Sequence, residues 1–224
     1  MPMRFPLMPY ILLALTVLGC VGPTAERHRT AVAPLPDCCR AMKPSRNQAA
    51  IVQTAAGLVG ATTIESNGQR IRYDCAGVTR AIYLAHGIDL YQGSDGNGTD
   101  NGVRLIHNHL RNQGRLHRGP GVHAGDLVFF DNTWDYNGDG VVNDPLTHVG
   151  IVEHVESDGT IVFISRVADS IQRYRMNLAQ PGIHRAQNGR VLNDYMRRKR
   201  WQDGGDTLYL TGQLFAGFGT RIVE

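Results

Sequence analysis

The sequence predicts an α+β domain in which helices pack on an antiparallel sheet. Three observations carry that expectation. Apolar residues recur at helical spacing in two segments before residue 86, and runs of β-branched and aromatic residues follow after residue 125. Two of those runs are joined by a turn short enough to make them an antiparallel hairpin.

Each element follows from its own residues. Ala49, Val52, Ala56 and Val59 share one helical face, so a first helix is expected over 48–59 with Gly60 as its stop. A polar loop containing Gly68 comes next. Val78, Ile82 and Ala85 place a second helix over 75–85, ended by His86 and Gly87. Residues 91–102 are rich in Gly, Asp, Asn and Ser and read as a loop, and a third helix is expected over 103–112. Strands are expected over 126–131, 148–155 and 160–167, with Glu156, Ser157, Asp158 and Gly159 as the turn between the last two. If the turn centres on Ser157 and Asp158, Gly150 lies opposite Ser165. Alternation then sets His148 and Ser165 on one face, about one pair apart and within side-chain reach. Beyond Met176 the pattern is fainter: a helix over 187–198, then a short strand or packing tail over 207–218.

The chain has 224 residues and a formal net charge of +3. Its only dense basic run, Arg197 to Arg200, reads as a solvated helix end, so nucleic acid is not expected as a partner. The first 20 residues carry Arg4 and then an apolar run over 10–18, too short to span a bilayer comfortably, and read as a signal peptide. Residues 21–46, with Pro23, Pro34, Pro36 and Pro44 and no apolar period, read as a tether, leaving 47–224 as one domain. The adjacent Cys38 and Cys39 are badly placed to bond each other.

Chemistry concentrates in three blocks: Tyr73-Asp74-Cys75-Ala76-Gly77, then Gly125-Asp126-Leu127-Val128-Phe129-Phe130, then Thr147-His148-Val149-Gly150. A thiol attacks a carbonyl as thiolate, and an imidazole partner can generate it. Cys75 opens a helix, where exposed amides favour negative charge, so a low thiol pKa is expected. Cys75 and His148 are thus the candidate nucleophile and base, with Ser165 as the group that orients the imidazole.

These blocks, in this order, resemble the NlpC-type cell-wall peptidases, papain-like cysteine enzymes related to the CHAP amidases. The resemblance covers about residues 48–170, leaving 171–224 as a C-terminal extension, and implies a papain-like fold. It also implies roles for Cys75 as nucleophile, His148 as base and Ser165 as the third polar residue, often His in the family; Tyr73 and Asp74, next to Cys75 although Tyr73 is not at the position of the family's tyrosine, are the expected substrate-binding residues. The usual Asp-Cys-Ser-Gly is Asp-Cys-Ala-Gly here, and the common Tyr-x-Trp-Gly-Gly segment is replaced by residues 61–66. The implied activity is hydrolysis of an amide in peptidoglycan stem peptides, with no cofactor required for the chemistry. The alternatives are a weakly active or non-catalytic envelope-binding protein of the same fold, and an acyl hydrolase or transferase on a non-murein amide. The stretch Val17-Leu18-Gly19-Cys20 resembles a bacterial lipobox, which implies acylation at Cys20, a lipid anchor in the membrane, and, with Val21 following, the outer membrane facing the periplasm.

One further constellation stands apart. Asp135, Asn137 and Asp139 alternate before Gly140, as in the first half of an EF-hand calcium loop, and Asp144 could supply another carboxylate, while the bidentate position holds Leu146. A structural calcium is one expectation. The other is a turn whose Asx side chains bond their own backbone.

Overall fold

Ser45 accepts a hydrogen bond from the Gln48 N–H while the Gln48 side chain accepts from the Ser45 N–H. That reciprocal pair satisfies two of the donors a helix start leaves open, and from it grows α1 (Arg46–Gly57). Asp74 and Asn101 cap α2 (Cys75–Leu84) and α3 (Gly102–Gln113) in the same way, accepting from the N–H of Gly77 and Arg104. The three predicted helices therefore form, each within two residues of its expected ends. The computed structural model describes residues 40–65, 71–93, 101–119, 121–201 and 203–222. Cys20, Cys38, Cys39 and most of the predicted 91–102 loop lie outside the described residues.

Among the described residues the strands are β1 (Ala41–Met42), β2 (Arg115–His117), β3 (Val122–His123), β4 (Leu127–Phe130), β5 (His148–Val155), β6 (Ile161–Val167), β7 (Ser170–Met176) and β8 (Phe215–Thr220). Six form one sheet in the order β2-β8-β4-β5-β6-β7, antiparallel throughout, while β1 and β3 make a small parallel pair. The fold is α+β. Residues 41 and 42, inside the predicted tether, already belong to this structure through β3.

Strand alternation sorts the core into two layers. Leu127, Phe129, Val149, Ile151 and Ile164 face the helices and pack with Ile51, Ile82, Tyr83, Ile106 and Leu110. Val128, Phe130, Val152, Phe163 and Phe218 face the other way and pack with Met196 and Leu214 of the C-terminal segment. With both faces covered, all four residues of β4 are buried.

One expectation for the C-terminal part fails, and one strand goes unforeseen. No helix forms over 187–198. Gly189 turns the chain at φ +83° and donates to Ala186 O, Arg185 bridges to Val191, and Asn193 becomes a fully buried hub whose side chain donates to Gln180 O and Ile183 O. The Asn188-Gly189 pair has stronger turn chemistry than the weak apolar period has helix chemistry. Strand β7, which the sequence did not suggest, carries Gln172 and Arg173 exposed at the sheet edge, and such a strand shows few apolar residues.

Candidate active site

The hairpin of β5 and β6 sets the site. Its loop closes through Glu156 N–H to Thr160 O at 2.8 Å, so the pairing nearest the turn is one position off the expected register. A bulge between Val152 and His154 absorbs the extra residue. Beyond it Ile151 faces Ile164, the register that sets Gly150 against Ser165 as expected. Gly150 is needed there: a Cβ would lie 2.7 Å from the Phe163 ring and 3.2 Å from Ser165 Cβ.

Regular pairing of the two strands stops at Ile151 and Ile164. One step further, Val149 would exchange hydrogen bonds with Arg166. Instead its C=O accepts from the Ser165 hydroxyl at 2.7 Å, and its N–H points at the sulfur of Cys75, which also takes the N–H of Ala76. The start of α2 is thus wedged where the strands part, and the nucleophile candidate sits beside the residue that follows His148.

Ser165 also meets His148, with Oγ 2.8 Å from Nε2. A hydroxyl has one proton, and here it goes to the Val149 carbonyl, which can only accept. The oxygen therefore accepts from His148 Nε2–H, and that tautomer leaves a lone pair on Nδ1. Two hydrogen bonds thus hold the imidazole in one tautomer.

The electrostatics overturn one expectation. Burial pushes the Cys75 thiol up to about 12, the Asp74 carboxylate adds to the rise, and the two N–H groups and Arg166 only partly offset it. Burial, with Arg166 nearby, lowers His148 to about 3. The expected low thiol pKa is not found, because partial burial of the residue and the acidic cap beside it outweigh the helix-start amides. At neutral pH the pair rests as thiol and neutral imidazole.

Cys75 and His148 line one cleft of about 630 Å³. Asp74 lines it too, bonded to its cap partner Gly77 N–H at 2.8 Å and to Arg72 at 3.1 Å. Gly77 is required by this close turn, since a Cβ would fall 1.8 Å from Arg72 O. Tyr73 stands one layer back: its hydroxyl donates to Ala61 O at 2.6 Å and its ring lies 5.1 Å beneath the Arg166 guanidinium. Arg166, Trp134 and Tyr136 line the cleft and were not singled out from sequence. Their signals were position, Arg166 next to Ser165 and the two aromatics flanking the Asp-rich loop.

That loop leaves β4 and returns to β5 across a tight neck, Asn132 N–H to Asp144 O at 2.7 Å and Leu146 N–H to Asp131 Oδ1 at 2.7 Å. Trp134, 46 % exposed, packs edge-on to Tyr136 and donates to Thr147 O. Asp135 accepts from the N–H of Gly138 and Gly140, Asn137 from that of Asp139, and Asp139 from that of Val141. Asp144 is buried and accepts from Tyr136 N–H. These are the Asx turns of the second expectation for this loop, and among the described residues no group of three or more His, Cys, Asp or Glu is placed to hold a metal ion. Cys75 is a free thiol, as a nucleophile requires. The chain matches no protein-family model, and no curated protein matches it.

Proposed function

We propose that the protein is a cysteine-dependent amide hydrolase with a papain-like domain of the NlpC type, acting on peptidoglycan stem peptides or another envelope peptide without a cofactor. The observation that carries this is the chain Val149 C=O, Ser165 hydroxyl, His148 Nε2–H, which leaves Nδ1 as a base in the cleft that holds Cys75.

In the reaction Nδ1 takes the thiol proton as sulfur adds to the substrate carbonyl, so no thiolate need persist beforehand. The N–H of Cys75 itself stabilises the oxyanion, those of Ala76 and Gly77 being turned to the sulfur and to Asp74. The imidazolium then returns its proton to the departing amine as the C–N bond breaks, leaving a thioester. Water, losing a proton to the same nitrogen, releases the carboxylic acid and restores the thiol. The cleft supplies a site for an extended peptide against Trp134 and Tyr136. We further propose acylation at Cys20, which would place the enzyme on the outer membrane facing the periplasm.

A second reading, an envelope-binding protein of weak or no activity, is favoured by the neutral resting pair. Incubating the protein and Cys75→Ala with peptidoglycan and analysing soluble fragments by mass spectrometry separates the two. New amide-cleaved fragments made only by the wild-type protein are expected. Identical fragment patterns would leave the binding reading.

A further inference from the structure

Among the charged side chains that line the cleft, Arg72 and Asp74 neutralise each other at 3.1 Å, and Arg72 is 88 % exposed. Arg166 has no carboxylate within ion-pair distance among the described residues, and its Nε, closed off from water, has no acceptor. The side chain is only partly buried and lines the cleft, so its terminal nitrogens, which also have no acceptor among the described residues, are the donors a ligand can reach.

The rest of the environment holds this group ready. Its Cζ lies 5.1 Å from the Tyr73 ring centre, a cation–π contact, and the ring is itself fixed by the Tyr73 hydroxyl bond to Ala61 O. Strand β6 places Arg166 directly after Ser165, its side chain lines the same cleft as Cys75 and His148, and its charge acts on both. A planar fork with unspent donors suits a carboxylate.

We propose that Arg166 anchors a free carboxylate of the bound peptide, so that the cleft selects substrates carrying one beside the scissile amide. This rests on the hydrolase reading for the word substrate, while the binding site itself does not. Tyr73 is then the support of the anchor, which gives a role to a residue that does not itself line the cleft.

The test uses the Cys75→Ala protein, so that binding is measured without turnover, and three acetylated tripeptides carrying one carboxylate at the C-terminus, one on a glutamyl side chain, or none. Affinity is followed by calorimetry and by the fluorescence of Trp134 in the cleft. At least one carboxylate peptide is expected to bind about tenfold or more tighter than the neutral one, with a preference that weakens as salt rises. Arg166→Gln should make the three equal, and Arg166→Lys, which keeps the charge, should retain part of the preference. Equal binding of all three peptides, no binding of any, or a preference that survives in a folded Arg166→Gln protein would overturn the proposal. Hydrolysis by the wild-type protein is scored separately: preference without turnover leaves the carboxylate site and sinks the hydrolase, and turnover without preference does the reverse.

Discussion

Removing one oxygen at Ser165 tests whether the imidazole is held as described. Ser165→Ala leaves the volume of the site almost unchanged and deletes two hydrogen bonds, to Val149 O at 2.7 Å and from His148 Nε2 at 2.8 Å. Both partners become stranded in a place that water hardly reaches, since Ser165 is 1 % and His148 8 % exposed. Each stranded group costs about 1–3 kcal/mol, so a loss of about 2–6 kcal/mol is expected, a large share of a domain's stability of roughly 5–15 kcal/mol. For a domain of this size that corresponds to a fall in Tm of roughly 4–24 °C. The mechanistic effect is distinct. Nothing then prefers Nε2–H, and nitrogen-edited NMR of the imidazole should show the wild-type Nε2–H tautomer replaced by a mixture, with turnover down about tenfold or more. A variant within about 0.5 kcal/mol of wild type that still shows a pure Nε2–H tautomer would refute the hydrogen-bond chain and the role of Ser165 with it.

Alkylation of Cys75 by iodoacetamide should reach half-reaction well above the free-thiol value of about 8.5. The folded state keeps the thiol proton to about pH 12 whereas the unfolded chain gives it up near 9.0, so this residue's contribution to stability is lost as pH rises through that window; a midpoint below 8 would contradict the neutral resting pair. Gly150→Ala drives a methyl into Phe163 and Ser165 and should cost about 1–3 kcal/mol and most activity, by thermal melting and peptide hydrolysis; unchanged values would show that β5 can shift freely. Because the loop carboxylates are engaged by their own backbone, melting curves with millimolar calcium and with chelator should coincide within about 1 °C; a rise of several degrees that Asp139→Ala removes would instead establish an ion there. Cys20→Ala should release the protein from membranes in fractionation, and unchanged partitioning would rule out acylation at that residue.

The parts of the fold legible in the sequence are those whose signals are local. Ala56 and Val59, Val78 and Ile82 lie a turn apart, and Glu156 to Gly159 announce their own turn, so α1, α2 and the β5–β6 hairpin could be placed within two residues. The opposition of Gly150 and Ser165 was legible too, although for an incomplete reason: the turn is longer than expected and the bulge at Glu153 compensates. What stayed hidden depends on distant partners. Nothing near Phe215 says that it pairs with β4, and nothing near Tyr73 says that a guanidinium from β6 lies over it. The Cys75 pKa was misjudged because helix position is visible in sequence whereas desolvation belongs to the assembled site.

Strand β8 has a consequence for how the molecule is assembled. Its residues, Phe215–Thr220, come long after β4 in sequence, yet they lie between β2 and β4 in the sheet. The hairpins β5–β6–β7 join neighbours in sequence and can form early, but the other edge of β4 waits until Phe215–Thr220 are made. Until then β4 offers unpaired amides and carbonyls to any passing strand. The same holds for a chain cut before Phe215: losing this strand exposes an apolar edge and uncovers Phe130, whose ring lies 6.1 Å from that of His148. Intactness of the last strand and integrity of the cleft are therefore one condition.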